Sequence, residues 1–113
     1  MLESDLQKMC VTWMRTQHKK ILFYAVPNEG KRSFALANHM KAMGLTSGIP
    51  DLVIPHPRGK HHGLYVELKA GKNKLTTNQV IVGDILKTEG YVVEVVYSFE
   101  EFQDVIKSYL RIK

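Results

Sequence analysis

The chain has few of the residues that staple a fold or anchor it in a membrane. It holds one cysteine, Cys10, among 113 residues. No internal disulfide can form, and a zinc ribbon or finger has too few thiolates. No apolar run approaches the ~20 residues that cross a bilayer, and residues 1–20 carry no apolar stretch of the secretory-leader type. Aromatic residues make up 9% and are not interleaved with the basic ones, which argues against stacking on single strands. No repeat, low-complexity tract or Pro/Gly/Ser-rich linker divides the chain. These absences predict a single domain over residues 1–113 that is cytoplasmic and has no membrane partner. What is present is a 44% hydrophobic fraction, ample for a core, and a net charge of +5. That charge is unevenly placed: residues 1–75 hold twelve Lys or Arg and five acids, whereas residues 76–113 hold four and six. A basic working part followed by an acidic scaffold suggests a polyanionic partner.

Hydrophobic spacing supplies the elements. Leu6, Met9, Cys10 and Trp13 mark one face of a helix running to about His18, with Ser4 and Gln7 as its expected capping box. Residues 21–26 form a strand-length run closed by Pro27. Residues 28–43 have weaker helical spacing (Leu36, Met40, Met43) and a stop at Gly44. Residues 51–55 and 64–70 read as two strands around a turn-rich stretch centred on Gly59. Thr76 and Gln79 cap a helix carrying Val82, Ile85 and Leu86 that stops at Gly90. Residues 91–97 form a Val-rich strand, expected to be buried on both faces. Ser98 and Glu101 cap a final helix whose apolar side is Phe102, Val105, Ile106, Tyr109 and Leu110. The order α-β-α-β-β-α-β-α predicts an α/β fold, a mixed sheet flanked by helices.

The chemistry concentrates in Gly48-Ile49-Pro50-Asp51 and Glu67-Leu68-Lys69. Alternation along a strand places Tyr65, Glu67 and Lys69 on one face, expected to point away from the apolar core. A hairpin symmetric about Gly59 sets Asp51 directly opposite Glu67, with Cβ atoms about 4.5–5.5 Å apart. Two carboxylates so close repel, and a hard divalent cation such as Mg²⁺ relieves the conflict. A lysine on the same face can stabilise charge on a phosphate oxygen or help orient a water, which makes the group a site for phosphodiester hydrolysis. Three other groups have no such logic. His56, His61 and His62 sit in the turn, residues 71–77 want the second glycine of a phosphate loop, and Cys10 matches no nucleophile motif.

Pro50-Asp51 with Glu67-Leu68-Lys69 resembles the signature of the PD-(D/E)XK nuclease superfamily. A wider set resembles the VRR-NUC family: residues 27–32 (Pro-Asn-Glu-Gly-Lys-Arg), Gly44, residues 48–52, residues 63–69, Leu75-Thr76, Gln79 and Gly90-Tyr91. This resemblance covers nearly the whole chain and implies a restriction-endonuclease-like core. It also implies a Mg²⁺- or Mn²⁺-dependent nuclease acting on branched DNA, of the small stand-alone phage or bacterial type. On the same basis Asp51, Glu67 and the Leu68 carbonyl are metal ligands, Lys69 is the catalytic lysine, Gln79 lies beside the site, and Glu3 is a further acid near the metal. Gln79 is then wanted both for catalysis and for the cap on Thr76.

Expected contacts to the DNA backbone are Arg15, Lys19, Lys20, Asn28, Lys31, Arg32, Arg58, Lys60, Lys72 and Lys74. The leading expectation is a homodimeric, Holliday-junction-resolvase-like endonuclease, since a two-fold dimer matches a four-way junction. The alternatives are a less selective DNA-nicking nuclease of repair or restriction, and a DNA-binding module that keeps the fold without cutting.

Overall fold

The structure is a computed structural model that describes residues 1–27 and 33–113. Its elements follow the predicted order: α1 (Glu3–Gln17), β1 (Tyr24–Ala25), α2 (Phe34–Ala42), β2 (Leu52–Ile54), β3 (Leu64–Leu68), α3 (Thr77–Thr88), β4 (Val92–Val96) and α4 (Phe99–Leu110). The strands form one sheet in the order β1-β2-β3-β4. β1/β2 and β2/β3 are antiparallel, and β3/β4 is parallel.

The two faces of the sheet differ. Leu52, Ile54, Leu64, Val66, Leu68 and Val96 are buried together with Leu6, Cys10 and Met14 of α1 and Phe102, Ile106 and Tyr109 of α4. Trp13 closes this core edge-on against Phe99 and Phe102. The other face carries Val53, Tyr65, Glu67, Val93 and Val95, with α3 packed against β4. One face therefore holds the fold together and the other is left for the site.

Several local expectations need correction. Ser4 and Gln7 do not cap α1. The helix starts two residues earlier, Leu2 is the N-cap without a side-chain bond, and Glu3 and Asp5 in the first turn meet the helix dipole instead. The run 21–26 yields only a two-residue strand, because Ile21 N–H still bonds the His18 carbonyl in the turn leaving α1. α2 is shorter than the expected 28–43. Ser33 caps it, accepting from Leu36 N–H, and none of its residues is buried; the start of the expected helix, residues 28–32, lies outside the described residues. Ile85 is 55% exposed, so the apolar side of α3 is only partly covered. β4 is not buried on both faces, since it is an edge strand: Glu94 is exposed and Val92, Val93 and Val95 are half-buried.

The remaining helix signals hold. Thr76 and Gln79 form a complete capping box. Ser98 caps α4, accepting from Glu101 N–H at 3.1 Å, while the Glu101 carboxylate reaches back to Tyr97 N–H, one residue before the cap.

Candidate active site

The hairpin register decides the site. Leu52 pairs with Val66, Val53 with Tyr65 and Ile54 with Leu64. Extended by one residue, this register places Asp51 opposite Glu67, as symmetry about Gly59 predicts. Asp51 stands just ahead of β2, and its carboxylate accepts the Leu68 N–H at 2.8 Å. Lys69 Nζ lies 3.7 Å from Glu67 Oε2. The structure thus brings Asp51, Glu67, Leu68 and Lys69 together.

Their surroundings differ from expectation. Glu67 and Lys69 do not point freely away from the core; they are only 4% and 7% exposed. Around Glu67 the loop before Asp51 meets the start of α3, and Gly48, Pro50, Leu75 and Gln79 line one cleft with it. Gly48, at φ +91°, comes so close to α3 that an added Cβ would lie 2.6 Å from the Asn78 carbonyl oxygen. Asn78 Nδ2 also donates to Ser47 Oγ at 3.0 Å. The glycine is visible in the sequence, but nothing there shows what it touches.

Gln79 serves both of its expected partners. Its Oε1 accepts the Thr76 N–H at 2.9 Å, and its Nε2 donates to Glu67 Oε2 at 3.2 Å. An amide has separate donor and acceptor ends, so the cap and the site do not compete for it.

Burial pushes the Asp51 carboxyl above its ordinary range, partly offset by the Leu68 N–H. Glu67 is pushed up to about 8, first by burial and then by the Asp51 charge, with Lys69 pulling the other way. The pair therefore favours holding a proton between its two carboxyls near neutrality, unless another cation takes its place.

Pro50 adds a device that the motif alone does not explain. Val66 faces β2 and Leu68 N–H turns the same way, toward Asp51. In the same register Leu68 lies opposite Pro50. An ordinary residue there would offer its N–H to the Leu68 carbonyl, and proline has none. The carbonyl is left beside the acid pair without that ladder partner. Asp51, Glu67 and this carbonyl are hard oxygen donors, a set that could hold Mg²⁺ or Mn²⁺.

Glu3 stands at the margin. It is near enough to raise both acids, but its carboxylate accepts from Asn73 Nδ2 at 3.0 Å. Among the described residues no three His, Cys, Asp or Glu side chains form a metal-ligating cluster.

The expected DNA contacts fall into separate places. Lys72 and Lys74 are exposed on the loop after β3, which Asn73 ties down: its Nδ2 donates to Glu3 and its carbonyl accepts the Tyr97 hydroxyl at 2.9 Å. Arg58 and Lys60 lie in the hairpin turn; Gly63, at its near edge, is already about 13 Å along the strand from Glu67. Arg15 is about 18 Å along α1 from Glu3, stacked over Phe23 with Lys19 and Lys20 beyond it. Asn28, Lys31 and Arg32 lie outside the described residues. The histidines of the turn stay remote from the acids, His62 packing on Tyr91 and Gly90. Cys10 is fully buried, its thiol pushed up to about 12 by burial, which leaves it inert.

A mixed sheet with two facing carboxylates and a lysine at one end defines a nuclease-type α/β domain. The description "VRR-NUC domain" matches residues 2–100, and the chain belongs to that family. Two solved structures are similar. One, named "VRR_NUC domain protein", shares 28% identity at a TM-score of 0.85, covering 99% of this chain and 90% of that one. Another, named "VRR_NUC domain", shares 26% identity at a TM-score of 0.62, covering 95% and 96%. No curated protein matches the chain.

Proposed function

We propose that the chain is a Mg²⁺- or Mn²⁺-dependent, structure-selective DNA endonuclease, resolvase-like and working as a homodimer on junction DNA. The observation that carries this reading is the facing pair of half-buried Asp51 and buried Glu67, with Lys69 Nζ 3.7 Å from Glu67: two carboxyls share a site that one lysine only partly neutralises. Asp51, Glu67 and the Leu68 carbonyl would hold the ion. Bound there, a divalent cation supplies Lewis-acid polarisation of the scissile phosphate and a more acidic water.

The chain's own residues do the rest. Gln79 fixes the Glu67 carboxylate from the first turn of α3, so the donor set is arranged before substrate arrives. Lys69, set 3.7 Å from the Glu67 carboxyl, supplies positive charge where a phosphate oxygen gains negative charge. The loop of Lys72 and Lys74 grips the backbone close to the cut. Support for a dimer comes from α2 and its C-cap, where the apolar side chains Phe34, Leu36 and Met43 are exposed, offering surface to a second copy.

The test is cleavage of a four-way junction, a flap and linear duplex with Mg²⁺ or Mn²⁺, beside Asp51→Ala. Cutting of the junction in preference, lost in the variant, is the expected result. Equal cutting of all three removes the selectivity. Binding without cleavage in either metal favours the non-cutting module, and cleavage that survives Asp51→Ala removes the site. A monomer in sedimentation at working concentration removes the symmetric-junction reading.

A further inference from the structure

β4 ends the sheet, and its backbone shows which groups are open. Val92 N–H donates to the Gly63 carbonyl at 3.0 Å, and the Val96 carbonyl accepts the Lys69 N–H at 2.9 Å, so residues 92, 94 and 96 face β3. Peptide groups alternate along a strand, so Val93 and Val95 turn their N–H and C=O to the free edge. Among the described residues neither finds a hydrogen-bond partner there. Unpaired groups of this kind template the addition of another strand.

Beside the edge, on the face covered by α4, lies a groove of about 490 Å³ lined in part by Val92, Glu94, Asp104, Val105 and Ile112. Two of its lining residues are carboxylates and none is a cation. Glu94 sits at the middle of β4 on this face and is exposed. Around Glu94 and Asp104 the surface therefore disfavours a nucleic acid backbone, while Arg58 stands near Tyr109 elsewhere on the groove.

The charge also selects among protein occupants. Pairing β4 with its own copy over its full length sets Glu94 opposite Glu94, and like charges directly opposite destabilise a strand pair. An incoming strand with lysine or arginine at that position gains an ion pair instead, and the apolar floor of the groove accepts the stem of its side chain. We propose that the open edge of β4 docks an extended, lysine- or arginine-bearing segment of a partner protein, which adds to the sheet as a fifth strand. This site is separate from the acid pair and does not depend on the nuclease reading.

The probe is a labelled Lys-Val-Lys-Val-Lys-Val-Lys peptide, compared with its glutamate counterpart by anisotropy, with amide exchange read at Val93 and Val95. The lysine peptide is expected to bind, to slow exchange at both amides, and to be held about tenfold more tightly than the glutamate peptide. Glu94→Lys should reverse that preference. Val95→Pro removes an edge N–H without touching the β3 ladder and should abolish binding; if it does not fold, the exchange at Val93 and Val95 in the unaltered chain decides. Absent binding overturns the proposal, as does binding with no slowing of the two amides, which would be surface charge alone. Amides already protected in the free protein, in a dimer that Glu94→Lys alters, would assign the edge to a second copy and overturn it too.

Discussion

In the metal-free folded chain burial and the Asp51 charge push the Glu67 carboxyl up to about 8, from an ordinary 4.5. A raised folded value means that this group contributes stability fully below about 4.5 and loses it progressively as pH rises through 8. The metal-free protein is therefore expected to melt lower at pH 9 than at pH 5. Glu67→Gln should flatten that part of the curve, raising Tm at pH 9 by several degrees, since about 1 kcal/mol moves a domain of this size by about 4–6 °C. The same variant should lose cleavage by at least about a hundredfold. Mg²⁺ at pH 8 should raise the melting temperature of the unaltered chain but hardly that of the variant. Scanning fluorimetry across pH, with and without EDTA, checks all three; a variant curve parallel to the original would sink the titration argument.

Pro50 gives a second expectation at this scale. Pro50→Ala restores an N–H opposite the Leu68 carbonyl, so that carbonyl can be satisfied within the ladder. The metal concentration for half-maximal activity should rise about tenfold while the stability changes little. An unchanged metal requirement would mean that the carbonyl is not a ligand. Asp51, Glu67 and Lys69 were legible because alternation and hairpin symmetry follow from backbone geometry alone. The enclosure of Glu67 was not, because a loop contact between residues 48 and 78, thirty positions apart, contributes to it and no local pattern encodes that contact.

Two glycines of opposite meaning frame the element that carries Gln79. Gly48 touches the first turn of α3 with no room for a side chain, whereas Gly83 lies inside α3 where an added Cβ would meet Val93 Cγ1 at an ordinary 3.7 Å. Gly48→Ala must push the loop off the helix or strain a left-handed backbone, and should cost about 2–4 kcal/mol. It should also lower cleavage, because Asp51 and Gln79 are positioned by the two sides of that contact. Gly83→Ala removes the helix penalty of glycine without a clash and should stabilise by about 0.5–1 kcal/mol. Urea titration of both variants tests the pair, and equal signs would contradict it. Helix starts at Thr76 and Ser98 were readable because a cap is a local signal. The edge position of β4 was not readable, since a run of valines looks the same whether a further strand covers it or not.

For the whole molecule the described basic residues fall on separate elements. Arg15, Lys19 and Lys20 are at the far end of α1, Arg58 and Lys60 in the turn of the hairpin, and Lys72 and Lys74 on the loop that follows β3. Sequence order gathered them ahead of residue 75, but the fold spreads them over a body 44 Å long. Of these groups Lys72 and Lys74 follow the strand of Glu67 and Lys69 most directly and are expected to contact phosphates near the cut; each phosphate lost from a duplex contact lowers the salt slope by about 0.9. In an Asp51→Ala background, which binds without cutting, replacing Lys72 and Lys74 by alanine should reduce the slope of log affinity against log salt by about 1–2. Replacing Arg58 and Lys60 should weaken binding of a long junction arm yet leave a short-armed junction unaffected, because a short arm ends before it reaches the turn. Anisotropy of labelled junctions with two arm lengths over a salt series makes the measurement. If both double variants shift both substrates equally, the charges act as one diffuse field and the separate placement has no consequence for binding.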